Sequence, residues 1–97
     1  MAVARWTERA LDDLDRVLDF LLVHSPQAVV EATERILEAA ALLERHPLAG
    51  RPVDSGLREF VISYGRAGYV ALYDFDELAD EVWILALRHQ RESAVES

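Results

Sequence analysis

The spacing of the apolar residues changes once along this chain, and that change constrains its fold more than any other feature. Up to about residue 46 the apolar positions recur with helical spacing. After the Pro/Gly-rich segment PLAGRPVDSG they recur every second residue. In the first half, Ala10, Leu11, Leu14, Val17, Leu18, Leu21 and Leu22 form one stripe, with Asp12, Asp13, Asp15, Arg16 and Asp19 on the other face. Thr7 reads as the N-cap of this helix and Glu8 as the acidic residue of its first turn. Ser25-Pro26 ends it and opens a second helix over about 26–46, because proline suits the first helical position and serine the cap before it. Val29, Val30, Thr33, Ile36, Leu37, Ala40 and Leu43 form the second stripe, and Pro47 stops it.

Residues 2–6 read as a short β-like opening. Residues 57–64 place Arg58, Phe60, Ile62 and Tyr64 on one face. Residues 68–75 place Tyr69, Ala71, Tyr73 and Phe75 on one face and Val70 and Leu72 on the other. Residues 81–88 are a nearly continuous apolar run, as a central strand would be. The links at 65–67 and 76–80 are short, which favours antiparallel hairpins. The expectation is an α+β fold of order β-α-α-β-β-β, a helical hairpin packed on one face of an antiparallel sheet. Leu14, Leu18, Ile36, Leu43, Val61, Trp83, Leu85 and Leu87 are then expected in the core.

At 97 residues the chain is expected to form a single domain over 1–97. It has no cysteine, which removes disulfides, thiolate metal sites and a cysteine nucleophile and fits a reducing, cytoplasmic setting. No apolar run is long enough to span a membrane and the start lacks a signal-peptide core. Ten basic residues face 18 acidic ones, for a net charge of −8. Every basic residue is arginine, so Schiff-base and P-loop lysine chemistry are excluded. The acidity is even, five Arg against nine Asp/Glu in residues 1–50 and the same in 51–97, so there is no global positive footprint for nucleic acid and no sequence-specific DNA binding by this chain alone is expected.

No metal constellation stands out, and no cofactor is expected. His24, His46 and His89 are far apart, and the first two read as helix C-terminal residues. Asp12/Asp13 reads as part of a solvated helix face, and the acidic stretch DFDELADE (74–81) as a solvated turn that lacks calcium-loop spacing. The chemistry-bearing candidates are polar residues set in or just after strands: Arg58, Tyr73, Arg88, His89 and Arg91. If the three strands are neighbours, these are expected near one end of the sheet, where arginine forks can grip a phosphate or a partner's carboxylate and a histidine can move a proton. The plainer alternative is arginines pairing with nearby Asp and Glu.

Five segments, in order, resemble the RelE/ParE superfamily of type II toxins, most closely the ParE-like branch of plasmid stabilisation proteins. They are WTERALDDL (6–14), HPLAGRP (46–52), GLREF (56–60), GYVALY (68–73) and ILALRHQR (84–91), matching the family's first helix entry, its P-x-x-G-R loop, its G-x-R-E strand start, its Y-R-x-x-Y strand and its closing V-x-H-x-R. The resemblance implies a toxin that causes growth arrest and is silenced by a cognate, ParD-like antitoxin. In one branch the toxin cuts messenger RNA on the ribosome; in the ParE-like branch it poisons DNA gyrase. The ribonuclease branch carries lysines on the first sheet strand, near Val61 and Ser63 here, and an arginine at the position of Val70. It also has a late arginine, matched by Arg91, and a late tyrosine that the tail ESAVES lacks. The expectation is therefore a gyrase inhibitor acting by protein–protein contact rather than an enzyme. Its candidate contact cluster is Arg58, Tyr73, Arg88, His89 and Arg91. The alternatives are a ribosome-dependent endoribonuclease with His89 as acid/base and Arg58 and Arg91 as phosphate clamps, or an inactive relative that only binds its antitoxin.

Overall fold

The computed structural model describes residues 1–64 and 67–90. Strand β1 (Val3–Trp6) leads into helix α1 (Glu8–His24), α2 (Pro26–Arg45), a two-residue strand β2 (Arg51–Pro52), and strands β3 (Arg58–Tyr64), β4 (Ala67–Asp76) and β5 (Glu81–His89). The caps are those the sequence specifies. The Thr7 hydroxyl accepts from the Ala10 amide at 3.1 Å and donates to the Leu85 carbonyl at 3.3 Å, so one residue starts α1 and ties it to β5. Ser25 closes α1 by donating its amide to the Leu21 carbonyl and opens α2 by accepting from the Gln27 amide.

The five strands form one sheet of order β1-β5-β4-β3-β2. The β3–β4 and β4–β5 pairs are antiparallel, as expected. Two features differ from the expectation. The sheet is mixed, because β1 pairs parallel with β5, and the Pro/Gly-rich loop supplies β2, antiparallel to β3 through Arg51–Glu59 and Pro52–Arg58. The Asp54–Gly56 turn between β2 and β3 passes through left-handed backbone at Ser55 and Gly56, φ 65° and 76°. A bulge interrupts β5: Leu72 faces Ala86 but Tyr73 faces Ile84, so Leu85 is the extra residue.

Both helices cover the same face of the sheet. Ala10, Val17 and Leu21 of α1 and Ala32, Ile36, Ala39 and Leu43 of α2 meet Ile62, Tyr69, Ala71, Tyr73, Val82, Ile84 and Leu87. Among the described residues no helix lies over the opposite face, although Val70 and Ala86 on it are only 7% and 8% exposed. This corrects the core assignment at three positions: Val61 is 48% exposed, and Trp83 and Leu85 are only half-buried, because all three sit on or beside the uncovered face. Leu14 and Leu18 are half-buried at the flank of α1, while Ile36, Leu43 and Leu87 are buried.

Asp13 overturns the solvated-face reading. It is 2% exposed, and its carboxylate accepts from the Leu87 amide at 2.9 Å and from Arg16 at 3.1 Å, with Arg9 at 3.6 Å. The physical reason is an edge left open. Strand β1 pairs with β5 only as far as Ile84, so the amide of Leu87 lacks a strand partner and α1 supplies one. Glu44 of α2 does the same on the other side of β1, accepting from the Ala4 amide at 2.8 Å. Among the described residues no helix is long and apolar enough to cross a membrane.

Candidate functional site

Strand register decides which of the candidate residues meet. Arg58 and Tyr73 are direct cross-strand partners, whereas His89 faces Tyr69 and Arg88 faces Val70. Tyr69 and Val70 lie four and three steps along β4 from Tyr73, about 10–13 Å at the usual rise of a strand. Alternation then puts Arg88 and His89 on opposite faces. The four described candidates therefore do not form one cluster. Arg91 lies outside the described residues.

Arg58 and Tyr73 hold the loop after α2. Tyr73 is fully buried; its hydroxyl donates to the Pro47 carbonyl at 2.7 Å and accepts from the Gly50 amide at 2.8 Å. The Arg58 guanidinium donates to the Gly50 carbonyl at 2.8 Å and more weakly to that of Leu48 at 3.4 Å. Gly50 is buried under this pair, and a Cβ there would come within 2.7 Å of the Tyr73 ring edge, its hydroxyl and the Glu59 carbonyl. The glycine of the P-x-x-G-R loop is thus required by close approach. Burial pushes the Tyr73 phenol above 10.0, an effect that the Gly50 amide and the Arg58 charge partly offset. These geometries describe a structural lock, which residue type and spacing alone did not reveal.

Arg88 projects from the uncovered face. Its Nη2 lies 3.4 Å from Glu59 Oε2, and Glu59 Oε1 accepts from Arg51 Nη2 at 2.9 Å. The result is an Arg51–Glu59–Arg88 ladder across β2, β3 and β5. A second pairing, Arg5 with Glu81, lies at the β1 end, where Glu81 also accepts from the Trp83 indole at 3.3 Å. On the other side of the Glu59 level from Arg5 and Glu81 runs a row across three strands: Val61, Val70 and Arg88. On the helix-covered side His89 meets the buried Tyr69 edge-on, with ring centroids 5.6 Å apart, and burial raises the Tyr69 phenol above 10.0. Sequence reading had not singled out Glu59 or Arg51. The pairing of Glu59 with Arg51 and Arg88 becomes visible only once β2, β3 and β5 are placed in one sheet.

On this face Val61 is 48% exposed, while Val70 beside it is only 7% exposed. Among the described residues of this row Arg88 carries the positive charge, and Glu59 lies within 3.4 Å of it. Among the described residues no group of His, Asp and Glu is arranged to hold a metal ion.

Comparison with known proteins agrees with the fold. Residues 4–94 match the family model described as the ParE toxin of the type II toxin–antitoxin system parDE. The chain is 36% identical over 84 residues to Toxin RelE3 of Caulobacter vibrioides, covering 87% of this chain and 89% of that protein. Toxin RelE2 of the same organism is 39% identical over 62 residues, 64% of this chain and 70% of that one. Among solved structures, a chain of the chromosomal ParDE system from P. aeruginosa superposes with a TM-score of 0.72 at 27% identity, covering 92% of this chain and 96% of that one. A chain of the RelBE2 toxin–antitoxin complex from Mycobacterium tuberculosis gives 0.62 at 26% identity, covering 92% and 98%. Helical hairpin, mixed sheet and matched span define a toxin of the RelE/ParE superfamily. Within it, the chain belongs to the ParE toxin family of type II toxin–antitoxin systems.

Proposed function

We propose that this toxin inhibits DNA gyrase in the cytoplasm by protein–protein contact through the uncovered sheet face, and that a cognate antitoxin neutralises it. The row Val61–Val70–Arg88 carries this reading. Two valines stand where the ribonuclease branch is expected to have cations, and the chain has no lysine to replace them. Tyr73 and Arg58 act as positioning residues, holding the loop from Pro47 to Gly50, while Arg88, with Arg91, makes the contact; His89 lies on the helix-covered side against Tyr69. The similar solved structures, from a ParDE system and a RelBE2 toxin–antitoxin complex, support the antitoxin partner.

The test is a gyrase supercoiling and cleavage assay with the purified chain. Loss of supercoiling with trapped, linearised DNA is expected, and Arg88→Glu/Arg91→Glu is expected to weaken it while leaving the circular dichroism spectrum unchanged. Full inhibition by the folded double variant would remove the sheet-end arginines from the contact, and a folded wild-type chain without effect on gyrase would overturn the target. The RelE names of the two curated relatives favour a second reading, ribosome-dependent RNA cleavage. That reading requires His89→Ala to abolish cleavage while ribosome binding survives.

A further inference from the structure

The uncovered face of the sheet carries a pattern of charge and size that matches itself when turned over. Strand β5 sets it. Glu81, Trp83, Ala86 and Arg88 belong to this face, because Val82, Ile84 and Leu87 between them are buried under the helices. Read along the strand, the order is acid, large aromatic, small residue, base. The bulge at Leu85 lies at its middle. Register fixes the spacing. The four residues stand opposite Asp76, Asp74, Leu72 and Val70 of β4. Glu81 and Arg88 therefore lie three steps from the centre on either side, about 10 Å, and Trp83 and Ala86 one step, about 3 Å.

Relief follows the same order. Trp83 is half-buried, and its indole N–H donates to Glu81 at 3.3 Å. Ala86 is 8% exposed, a methyl group set between larger neighbours. The rest of the face divides in the same way. Beside Glu81 are Asp74 and Asp76, with Arg5 the cation of that half; beside Arg88 is Arg51, with Glu59 the acid of that half. Among the described strand residues, one half of the face is thus net negative and the other net positive. The Glu81 and Arg88 side chains have intrachain partners, Arg5 and Glu59, yet keep 22% and 30% exposure, enough for a second contact. A half-turn about an axis across the strands lays the negative half of one copy on the positive half of another, as an isologous contact requires.

We propose that this face binds a second copy of the chain, sheet on sheet. Trp83 of each copy sits over Ala86 of the other, and Glu81 meets Arg88 at both ends. Stacked sheets lie ~10 Å apart, a gap that a glutamate and an arginine reaching toward each other can span. Aligned sheets cross at about 30°, which moves the ends sideways by ~5 Å, still within reach of those side chains. A buried tryptophan in a hollow is the usual anchor of such a contact. From β1 to β3 the face measures ~14 Å by ~20 Å, well under the 800 Å² or so per partner of a stable interface, so the pair is transient. Two chains of net charge −8 repel at long range. At 0.15 M salt the Debye length of about 8 Å screens that repulsion more than it screens pairs in contact. Arg88 lies inside the pair, so self-association and contact with a target through this face exclude one another.

Sedimentation velocity on the whole chain in 0.15 M NaCl, from ~20 μM to ~1 mM, tests this in the range of weak pairs. The weight-average sedimentation coefficient is expected to rise toward the dimer value. Glu81→Arg and Arg88→Glu are each expected to weaken association at least tenfold. Glu81→Arg/Arg88→Glu is expected to recover it, because the attraction between copies returns while Arg5 and Glu59 within each chain now face like charges. Ala86→Gln fills the hollow without changing charge and is expected to weaken association as well. Thermal melting shows which variants are folded. A wild-type chain that stays monomeric throughout overturns the proposal. So does a folded double variant that does not recover association, or association that none of the variants alters. Should the charge variants fail to fold, amide shifts of the wild-type chain decide. Concentration-dependent shifts at Trp83, Ala86 and Arg88 support the pair, and shifts confined to α1 and α2 overturn it.

Discussion

Tyr73 shows how one side chain can hold a loop. Its hydroxyl serves the carbonyl of Pro47 and the amide of Gly50 at once, inside a site with no exposure. Tyr73→Phe leaves both backbone groups buried without that partner, so a loss of about 1–3 kcal/mol in urea unfolding is expected, larger than deletion of a solvated hydroxyl would give. The same residue, with Tyr69, governs the alkaline limit. Both phenols titrate above 10.0 in the folded chain because burial disfavours the phenolate. The folded state therefore keeps protons that the unfolded state has lost. Stability is expected to be flat in this respect below pH 10 and to fall above it, by up to about 1.4 kcal/mol per pH unit for each tyrosine until its folded pKa is passed. Unfolding free energies at pH 9 and pH 11 check the sign. In Tyr73→Phe the fall is expected to be shallower.

At the scale of elements, α1 is fastened to β5 by Thr7 at its start and by Asp13 a turn and a half later. Asp13→Ala removes a buried acceptor, strands the Leu87 amide and releases Arg9 and Arg16. A loss of about 3 kcal/mol is expected, within the range for breaking a buried charged contact. Hydrogen exchange is expected to speed up at Leu87 more than at Ile62, on the far side of the sheet. An equal effect at both would mean that Asp13 stabilises the molecule globally rather than at this edge. The same residue marks where sequence reading stops. Helix spans, the Ser25-Pro26 break and the three long strands follow from local periodicity and cap chemistry, and the structure has them. Asp13 sits among Asp12, Asp15 and Asp19 in the sequence, and only the early end of β1–β5 pairing distinguishes it. The parallel β1 pairing and the two-residue β2 are long-range events with no local period. Val61 follows the alternation that separates it from Phe60 and Ile62, but alternation does not say which face the helices cover. The candidate site was legible as residue types and not as a constellation, because Arg88 and His89, adjacent in sequence, project from opposite faces.

For the molecule as a whole the deciding quantity is the excess of carboxylates. Among the described residues, Arg5, Arg9, Arg16, Arg35, Arg51 and Arg88 pair with Glu81, Asp13, Glu38 and Glu59. Several arginines thus double up on one carboxylate, while most of the 18 acidic residues repel one another across the surface. Salt acts on both kinds of interaction. Exposed pairs are worth only about 0–1 kcal/mol each, so screening them costs little. Repulsion summed over a net charge of −8 is relieved by the same screening, since the Debye length shrinks from about 30 Å at 0.01 M to about 8 Å at 0.15 M. Repulsion is stronger in the compact chain than in the expanded one, so its relief favours the folded state. The melting temperature at pH 7 is therefore expected to rise between 0.01 M and 0.15 M NaCl, each kcal/mol recovered being worth roughly 4–8 °C in a chain of this size. A fall over that interval would mean that the Arg51–Glu59–Arg88 and Asp13 networks outweigh the global charge. Association with a basic partner is expected to run the other way, weakening with added salt. The free toxin would then be most stable under the conditions that hold its partner least tightly.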